Sequence, residues 1–148
     1  MIIAQYLHIL GFTVWIGGMF FAYMALRPVV ADQLEGAQRL ALWAAVLGKF
    51  FPWVWVSIAL VLGSGLHMMG MIGKPPLYVT VMAVLGITMM LIFAHIFFAP
   101  YRRLKRSLVG MDGPLGAAAM NQIRQLVGTN LVIGLVTLTI GGLGPVMQ

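Results

Sequence analysis

The three histidines of this chain, His8, His67 and His95, each lie inside a long run of apolar residues. An ionisable, metal-binding side chain such as histidine in a membrane helix either belongs to a functional site or forms a hydrogen bond to a neighbouring helix. The chain has no cysteine, and its three acidic residues all lie outside the apolar runs. This excludes disulfides, thiolate metal sites, c-type haem attachment and an intramembrane carboxylate pair. The histidines are therefore the residues best suited to carry chemistry.

Four apolar segments are long enough to cross a bilayer, since a helical span needs about 20 residues. They cover residues 2–26, 50–71, 77–99 and 126–143, and a proline follows each of them closely. The composition is 61% hydrophobic and 8% charged, with a mean hydropathy of +1.00, which is typical of membrane proteins. Glu35 and Arg39, spaced i,i+4, favour a short helix that runs into the second span. The sequence predicts one all-α domain over residues 1–148, a four-transmembrane-helix bundle.

Basic residues are concentrated on one side of the predicted bundle. Only Lys74 lies on the other side, and the remaining ones are Arg27, Arg39, Lys49, Arg102, Arg103, Lys105, Arg106 and Arg124. The positive-inside rule places the basic side in the cytoplasm and both termini on the outer, periplasmic side of a bacterial inner membrane. The formal net charge of +6 is accounted for by this orientation, so the partner is the lipid bilayer and not nucleic acid.

Depth in the membrane pairs two of the histidines. His8 lies about 9 Å below the outer end of the first span, and His67 about 6 Å below the outer end of the second, at 1.5 Å per residue. Because these spans are antiparallel, both rings lie at nearly one level, where they are candidates for the two axial ligands of a b-type haem iron. His95 lies near the opposite surface and is a candidate for a second metal site or a structural role.

Small residues beside the histidines favour a flat cofactor. Gly11 and Trp15 follow His8 on its helix face, and Gly63 lies one turn before His67. These residues are the predicted pocket wall, and Lys74 is the predicted partner of haem propionates at the outer surface. A further stripe on the last span contains Asn130, Gly134, Thr137 and Gly141. The alternative for all the glycines is close helix packing.

Copper is the alternative metal. His67 is followed by Met68, Met69 and Met71, and thioether ligands select Cu(I). Methionine also serves as a flexible apolar filler, and the chain contains 12 of them. Copper therefore remains the alternative hypothesis, and haem remains the first one.

Much of the chain resembles the four-span proteins related to the copper-resistance D (CopD) membrane domain. The resemblance rests on LHILGFTVWIGGMFFAYMALRP, RLALWAAVLGKFFPWVWVSIALVLGSGLHMM and MMLIFAHIFFAPYRRLKRSL. It implies copper uptake. The Leu-His opening and the Trp-x-Gly pattern are also similar to HemJ-type protoporphyrinogen oxidases, which implies His8 as a ligand of haem b. Where that family is expected to carry His-x-Lys, this chain has Tyr78-Val79-Thr80, which argues against porphyrinogen oxidation.

These observations lead to a ranked set of functions. The first is a b-type haem protein for electron transfer or for oxidation of a small substrate, with a quinone or a periplasmic electron carrier as redox partner. The alternatives are a copper transport or resistance protein that uses His67 and the adjacent methionines, and a HemJ-like oxidase. A structural subunit without a cofactor is a further alternative, and a homo-oligomer is compatible with all of them.

Overall fold

The computed structural model describes residues 1–146, and every regular element in that range is helical. The last two residues of the predicted domain lie outside the described range. In chain order the elements are α1 (Ile2–Phe21), a π-helical segment (Ala22–Leu26), α2 (Arg27–Gln33), α3 (Gly36–Ile72), α4 (Leu77–Phe98), α5 (Pro100–Val109), α6 (Gly113–Leu143) and a 3₁₀ turn (Gly144–Val146). Four helical stretches are long and apolar enough to cross a membrane. The predicted all-α architecture with four spans is confirmed, and the chain is a multi-pass membrane protein.

The sequence suggests that the first span ends just before Pro28. In the structure, however, the helical stretch continues to Gln33. A proline has no N–H, so within a helix the carbonyl four residues earlier loses its usual donor. The chain changes register just before Pro28, in the π-helical segment, where the Arg27 N–H bonds to the Ala22 carbonyl. Pro28 then lies in the first turn of α2, where the missing N–H costs little.

Helix α3 is a single element of 37 residues, so the predicted short helix does run into the second span. At 1.5 Å per residue it is about 55 Å long, which exceeds the thickness of about 30 Å of a bilayer core. The helix contains Pro52 and ends at Gly73, whose φ of 76° is one that glycine adopts without strain. Pro75 and Pro76 follow and lead into α4.

The basic run that follows the third span, residues 101–106, lies in a helix and not in a loop. Helix α5 begins at Pro100, and its buried face carries Tyr101, Leu104 and Ser107. After it, the Asp112 side chain accepts a hydrogen bond of 3.0 Å from the Leu115 N–H and so caps the start of α6. The last helix consequently begins at Gly113, well before the predicted span.

The helices associate mainly as two antiparallel pairs, α1 with α3 and α4 with α6, while α5 packs on α6. One end of the bundle, which we call the terminal end, holds Met1, the α3–α4 connection and Gly144. The other, which we call the arginine-rich end, holds α2, α5 and the start of α6. An aromatic cluster joins the pairs: the Phe51 ring lies 5.2 Å from that of Phe93 and 4.9 Å from that of Tyr101, between centroids.

Candidate functional site

His8 lies in the seam between α1 and α3, near the terminal end. Its ring is half-buried, and its Nδ1 lies 3.0 Å from the Ser64 hydroxyl oxygen. That hydroxyl donates its own hydrogen to the Leu60 carbonyl one turn earlier. With the Ser64 hydrogen directed to Leu60, the tautomer that fits this geometry carries its proton on Nδ1 and donates to the Ser64 oxygen. The other ring nitrogen, Nε2, is left with a free lone pair, which is the form that a metal ligand requires.

The close approach of the His8 ring to α3 depends on a glycine. A Cβ built on Gly65 would lie 3.2 Å from His8 Cε1 and 3.5 Å from Nδ1. A larger side chain at position 65 would displace the imidazole from Ser64. Ser64 and Gly65 thus act together to hold the orientation of His8.

Two of the three predicted copper-binding methionines lie on the Ser64 face of α3. Met68 and Met71 follow Ser64 by four and seven residues, which places them on one side of the helix, one and two turns nearer the terminal end. Met68 is half-buried and Met71 is exposed. Met69 lies about 140° round the helix from Ser64 at 3.6 residues per turn. The structure therefore separates Met69 from the other two.

The second predicted haem ligand lies in a different setting. His67 is exposed at the edge of the Ser64 face, whereas the His8 ring is turned towards Ser64 and Gly65. Within residues 1–146, no three histidine, aspartate or glutamate side chains group as a metal site. Of the predicted site residues at the terminal end, His8 is the one whose side chain has a hydrogen-bond partner among residues 1–146.

Two of the predicted pocket-wall residues, Gly11 and Trp15, take part in helix packing. A Cβ on Gly11 would lie 3.0 Å from the Ser57 carbonyl oxygen, so α1 and α3 are in direct contact one turn from His8. Trp15 is 1% exposed and its ring meets that of Phe93 edge to face at 6.3 Å. Gly63 faces away, since a Cβ there would meet no atom of residues 1–146 within 4 Å. The glycines therefore do not leave a flat space between α1 and α3.

The two remaining predicted residues are both exposed. Lys74 lies in the α3–α4 connection. His95 lies on α4, where its Nε2 is 3.4 Å from the amide nitrogen of Gln122. The Gln122 oxygen accepts from Arg103, so its NH₂ group faces the imidazole and donates to it. This arrangement links α4, α5 and α6.

A cavity of about 290 Å³ occupies the arginine-rich half of the bundle. The sequence did not indicate it, because its arginines were explained by membrane orientation. Trp15 and Asn130 line the cavity, and Trp15 Nε1 and Asn130 Oδ1 are buried without hydrogen-bond partners among residues 1–146. Of the stripe on the last span, Asn130, Gly134 and Thr137 are buried and Gly141 is half-buried, but Asn130 is the stripe residue that lines the cavity.

Comparison with known families gives one result. The family model for Copper resistance protein D (CopD) matches residues 44–143. The chain belongs to the CopD family. The matched region takes in most of α3 and all of α4, α5 and α6. It includes Ser64 and the methionines that follow it, whereas His8 precedes it. Comparisons with curated proteins and with solved structures find no significant match.

Proposed function

We propose that this CopD-family protein handles copper in the membrane and binds Cu(I) through His8, with Met68 as the second ligand. The observation that carries the proposal is the His8–Ser64 hydrogen bond of 3.0 Å. It orients the imidazole and leaves Nε2 free, as second-shell partners do in metal sites. Membership of the copper resistance family supports copper as the cargo.

The methionines supply the ligand chemistry that selects the metal. Cu(I) favours thioether and imidazole ligands, whereas Mg²⁺ and Ca²⁺ favour carboxylate and carbonyl oxygens. Met68 is half-buried on the face of Ser64, and Met71 is exposed one turn further out. We infer that Met71 receives Cu(I) at the terminal end and passes it inward to Met68 and His8. The charge distribution predicts that this end faces outward, so copper would enter from outside the cell.

The test is a Cu(I) titration of the purified protein in detergent under reducing, anaerobic conditions, with a chromogenic chelator as competitor. His8→Ala should abolish high-affinity binding. Ser64→Ala and Met68→Leu should weaken it by roughly 10- to 100-fold, the range for loss of an orienting or coordinating group. The matched controls are His67→Ala and Met69→Leu, which should bind as the unmodified protein does. Loss of binding in His67→Ala with retention in His8→Ala would reject the proposed site.

Haem b is the second candidate, because an oriented imidazole with a free Nε2 is also what an axial haem ligand needs. The tight α1–α3 contact at Gly11 means that a porphyrin would approach His8 from the lipid-facing side of the seam. In that case His67 would supply the other ligand, and Lys74 would meet the propionates. The protein would then pass electrons to a quinone or a periplasmic carrier.

A visible spectrum separates the two candidates. A protein purified from haem-sufficient cells with a Soret band, and with sharp α and β bands on reduction, would favour haem. In that case His8→Ala and His67→Ala should each remove the low-spin spectrum, whereas His95→Ala should not. A colourless preparation that binds Cu(I) stoichiometrically would leave the copper proposal alone.

A further inference from the structure

The cavity of about 290 Å³ at the arginine-rich end has an exposed mouth and buried apolar walls. Exposed residues near the end of α2 and the start of α6 line the mouth, among them Ala31, Asn121 and Arg124. Inside the mouth the walls are apolar and aromatic side chains: Leu40, Trp43, Phe51, Phe93, Ile96 and Ile123. None of the three histidines lines the cavity, so it is separate from the copper site proposed above.

The cavity runs from the membrane interface into the apolar part of the bundle. Arg27 directly follows the first predicted span, residues 2–26, and Arg124 lies two residues before the last one, residues 126–143. Both arginines therefore lie at the level of lipid headgroups. Val54 and Asn130 also line the cavity, and each lies four residues inside its span, about 6 Å deeper at 1.5 Å per residue. The cationic and apolar parts thus follow the order of headgroup and acyl chain in the adjoining leaflet.

Three arginines from three helices line the cavity: Arg27 of α2, Arg39 of α3 and Arg124 of α6. Each contacts a neutral partner. Arg39 donates to two backbone carbonyls, Arg124 donates to the Asn121 side chain, and the Arg27 Cζ lies 5.0 Å from the ring centroid of Tyr23. No aspartate or glutamate is among the wall residues that the described part of the chain provides. Like charges around one cavity repel each other, so an anion between the arginines would be attracted by all three.

A phosphate group that is joined to an apolar chain matches this arrangement. Guanidinium groups bind phosphate oxygens through paired N–H donors, and basic pockets between transmembrane helices bind anionic lipid headgroups. A free anion would satisfy the arginines but leave the apolar walls in contact with water. A phospholipid covers both parts, because its acyl chain also removes the apolar walls from water.

We propose that this cavity binds an anionic phospholipid from the leaflet at the arginine-rich end, with its phosphate among Arg27, Arg39 and Arg124. The first part of one acyl chain lies against the apolar walls, and the rest of the lipid stays in the bilayer. A zwitterionic lipid binds more weakly, because the arginines repel its cationic group. Since the arginines belong to α2, α3 and α6, the bound lipid links three helices and stabilises their arrangement.

The probe is phosphatidylglycerol, added to the delipidated protein in neutral detergent and counted by native mass spectrometry, with phosphatidylcholine of the same acyl chains for comparison. Arg27→Gln and Arg124→Gln should each weaken phosphatidylglycerol binding about tenfold, the effect of losing one hydrogen bond to a charged group. The unmodified protein should bind this lipid about tenfold more tightly than phosphatidylcholine, by the same reasoning. The matched control is Arg106→Gln, which removes the same charge from an exposed position outside the cavity and should leave the affinity unchanged.

Two further measurements separate a lipid site from a site for a free anion and from loss of folding. Glycerophosphoglycerol, the same headgroup without acyl chains, should not displace the lipid even at about a hundredfold excess, because it buries no apolar surface. Phosphatidylglycerol should raise the melting temperature of the unmodified protein and of Arg106→Gln, and should raise that of Arg124→Gln less. Without lipid, Arg124→Gln should melt as the unmodified protein does, because Arg124 is exposed and its hydrogen bond to Asn121 lies within one helix.

Three results would overturn this proposal. One is equal affinity for the two lipids, since the arginines would then contribute nothing. Another is equal loss of affinity in Arg124→Gln and Arg106→Gln, because that would reflect general surface charge. The third is displacement of phosphatidylglycerol by an equal concentration of glycerophosphoglycerol, because a soluble anion would then account for the site.

Discussion

Replacement of Gly11 by alanine tests the contact between α1 and α3 on which the His8 site depends. The new Cβ would lie 3.0 Å from the Ser57 carbonyl oxygen, 3.1 Å from Leu60 Cβ and 3.2 Å from a Val61 methyl carbon. Ordinary carbon–carbon contacts are about 3.5–4.0 Å. Two of these neighbours, the carbonyl and the Cβ, are fixed by the α3 backbone, so the side chains cannot simply rotate away. The helices must separate by several tenths of an ångström.

The expected cost follows from a matched control on the same helix. Gly17→Ala introduces the same methyl group where nothing lies within 4 Å. Both variants gain the higher helix propensity of alanine, about 1 kcal/mol, so this contribution cancels in their difference. Overpacking typically costs about 1–3 kcal/mol. With roughly 2–4 °C of melting temperature per kcal/mol for a chain of this size, Gly11→Ala should melt about 2–12 °C below Gly17→Ala.

Two measurements check this prediction. Thermal unfolding in detergent, followed by tryptophan fluorescence, gives the difference in melting temperature. A Cu(I) titration shows whether displacement of α1 also disturbs His8, which lies one turn from Gly11 and bonds to Ser64. Equal melting temperatures for Gly11→Ala and Gly17→Ala would refute the tight α1–α3 crossing and, with it, the geometry of the proposed copper site.

Three further substitutions probe the arginine-rich half by the same unfolding measurement. Phe51→Ala removes a ring that is 2% exposed and should cost about 3–5 kcal/mol; a loss below 1 kcal/mol would mean that the aromatic cluster is loosely packed. Asp112→Ala removes the cap on the Leu115 N–H and should cost about 1 kcal/mol, whereas Asp112→Asn should retain most of it. Gly48→Ala would place a Cβ 2.9 Å from the Tyr101 hydroxyl oxygen and should melt below Gly17→Ala, which gains the same helix propensity without the clash; equal melting temperatures for the two variants would show that the tyrosine moves freely.

The four spans were predictable because a bilayer imposes a simple requirement. In hydrocarbon every backbone N–H and C=O must be bonded within its own helix, so long apolar runs become helices whatever their neighbours are. Helix ends were less predictable. Pro28 does not end the first span, because a π-helical segment absorbs the missing donor, and α5 was hidden in a basic run. The signal for α5 was present, because Tyr101, Leu104 and Leu108 recur at helical spacing between the basic residues, whereas nothing comparable marks the π-helical segment.

Only part of the candidate site could be predicted from the sequence. Residue type and depth pointed to His8 and His67 together, and nothing in the sequence separated the hydrogen-bonded ring of the first from the exposed ring of the second. The role of Ser64 itself was missed, because a serine in a membrane helix gives no sign of which neighbour it will bond. The cavity at the arginine-rich end was missed for a similar reason, since each of its arginines also fits the orientation rule.

The sequence by itself determined a four-span helical membrane protein, because the bilayer leaves an apolar chain few other ways to satisfy its backbone. It also determined the residue types that can carry chemistry, since cysteine is absent and carboxylates are scarce. Only the tertiary structure decided which of those residues meet. The rotation of α1 against α3 is set at the Gly11 crossing, and this rotation turns His8 towards Ser64 and leaves His67 exposed. Helix packing depends on side-chain shapes from distant parts of the chain, and no local pattern contains that information.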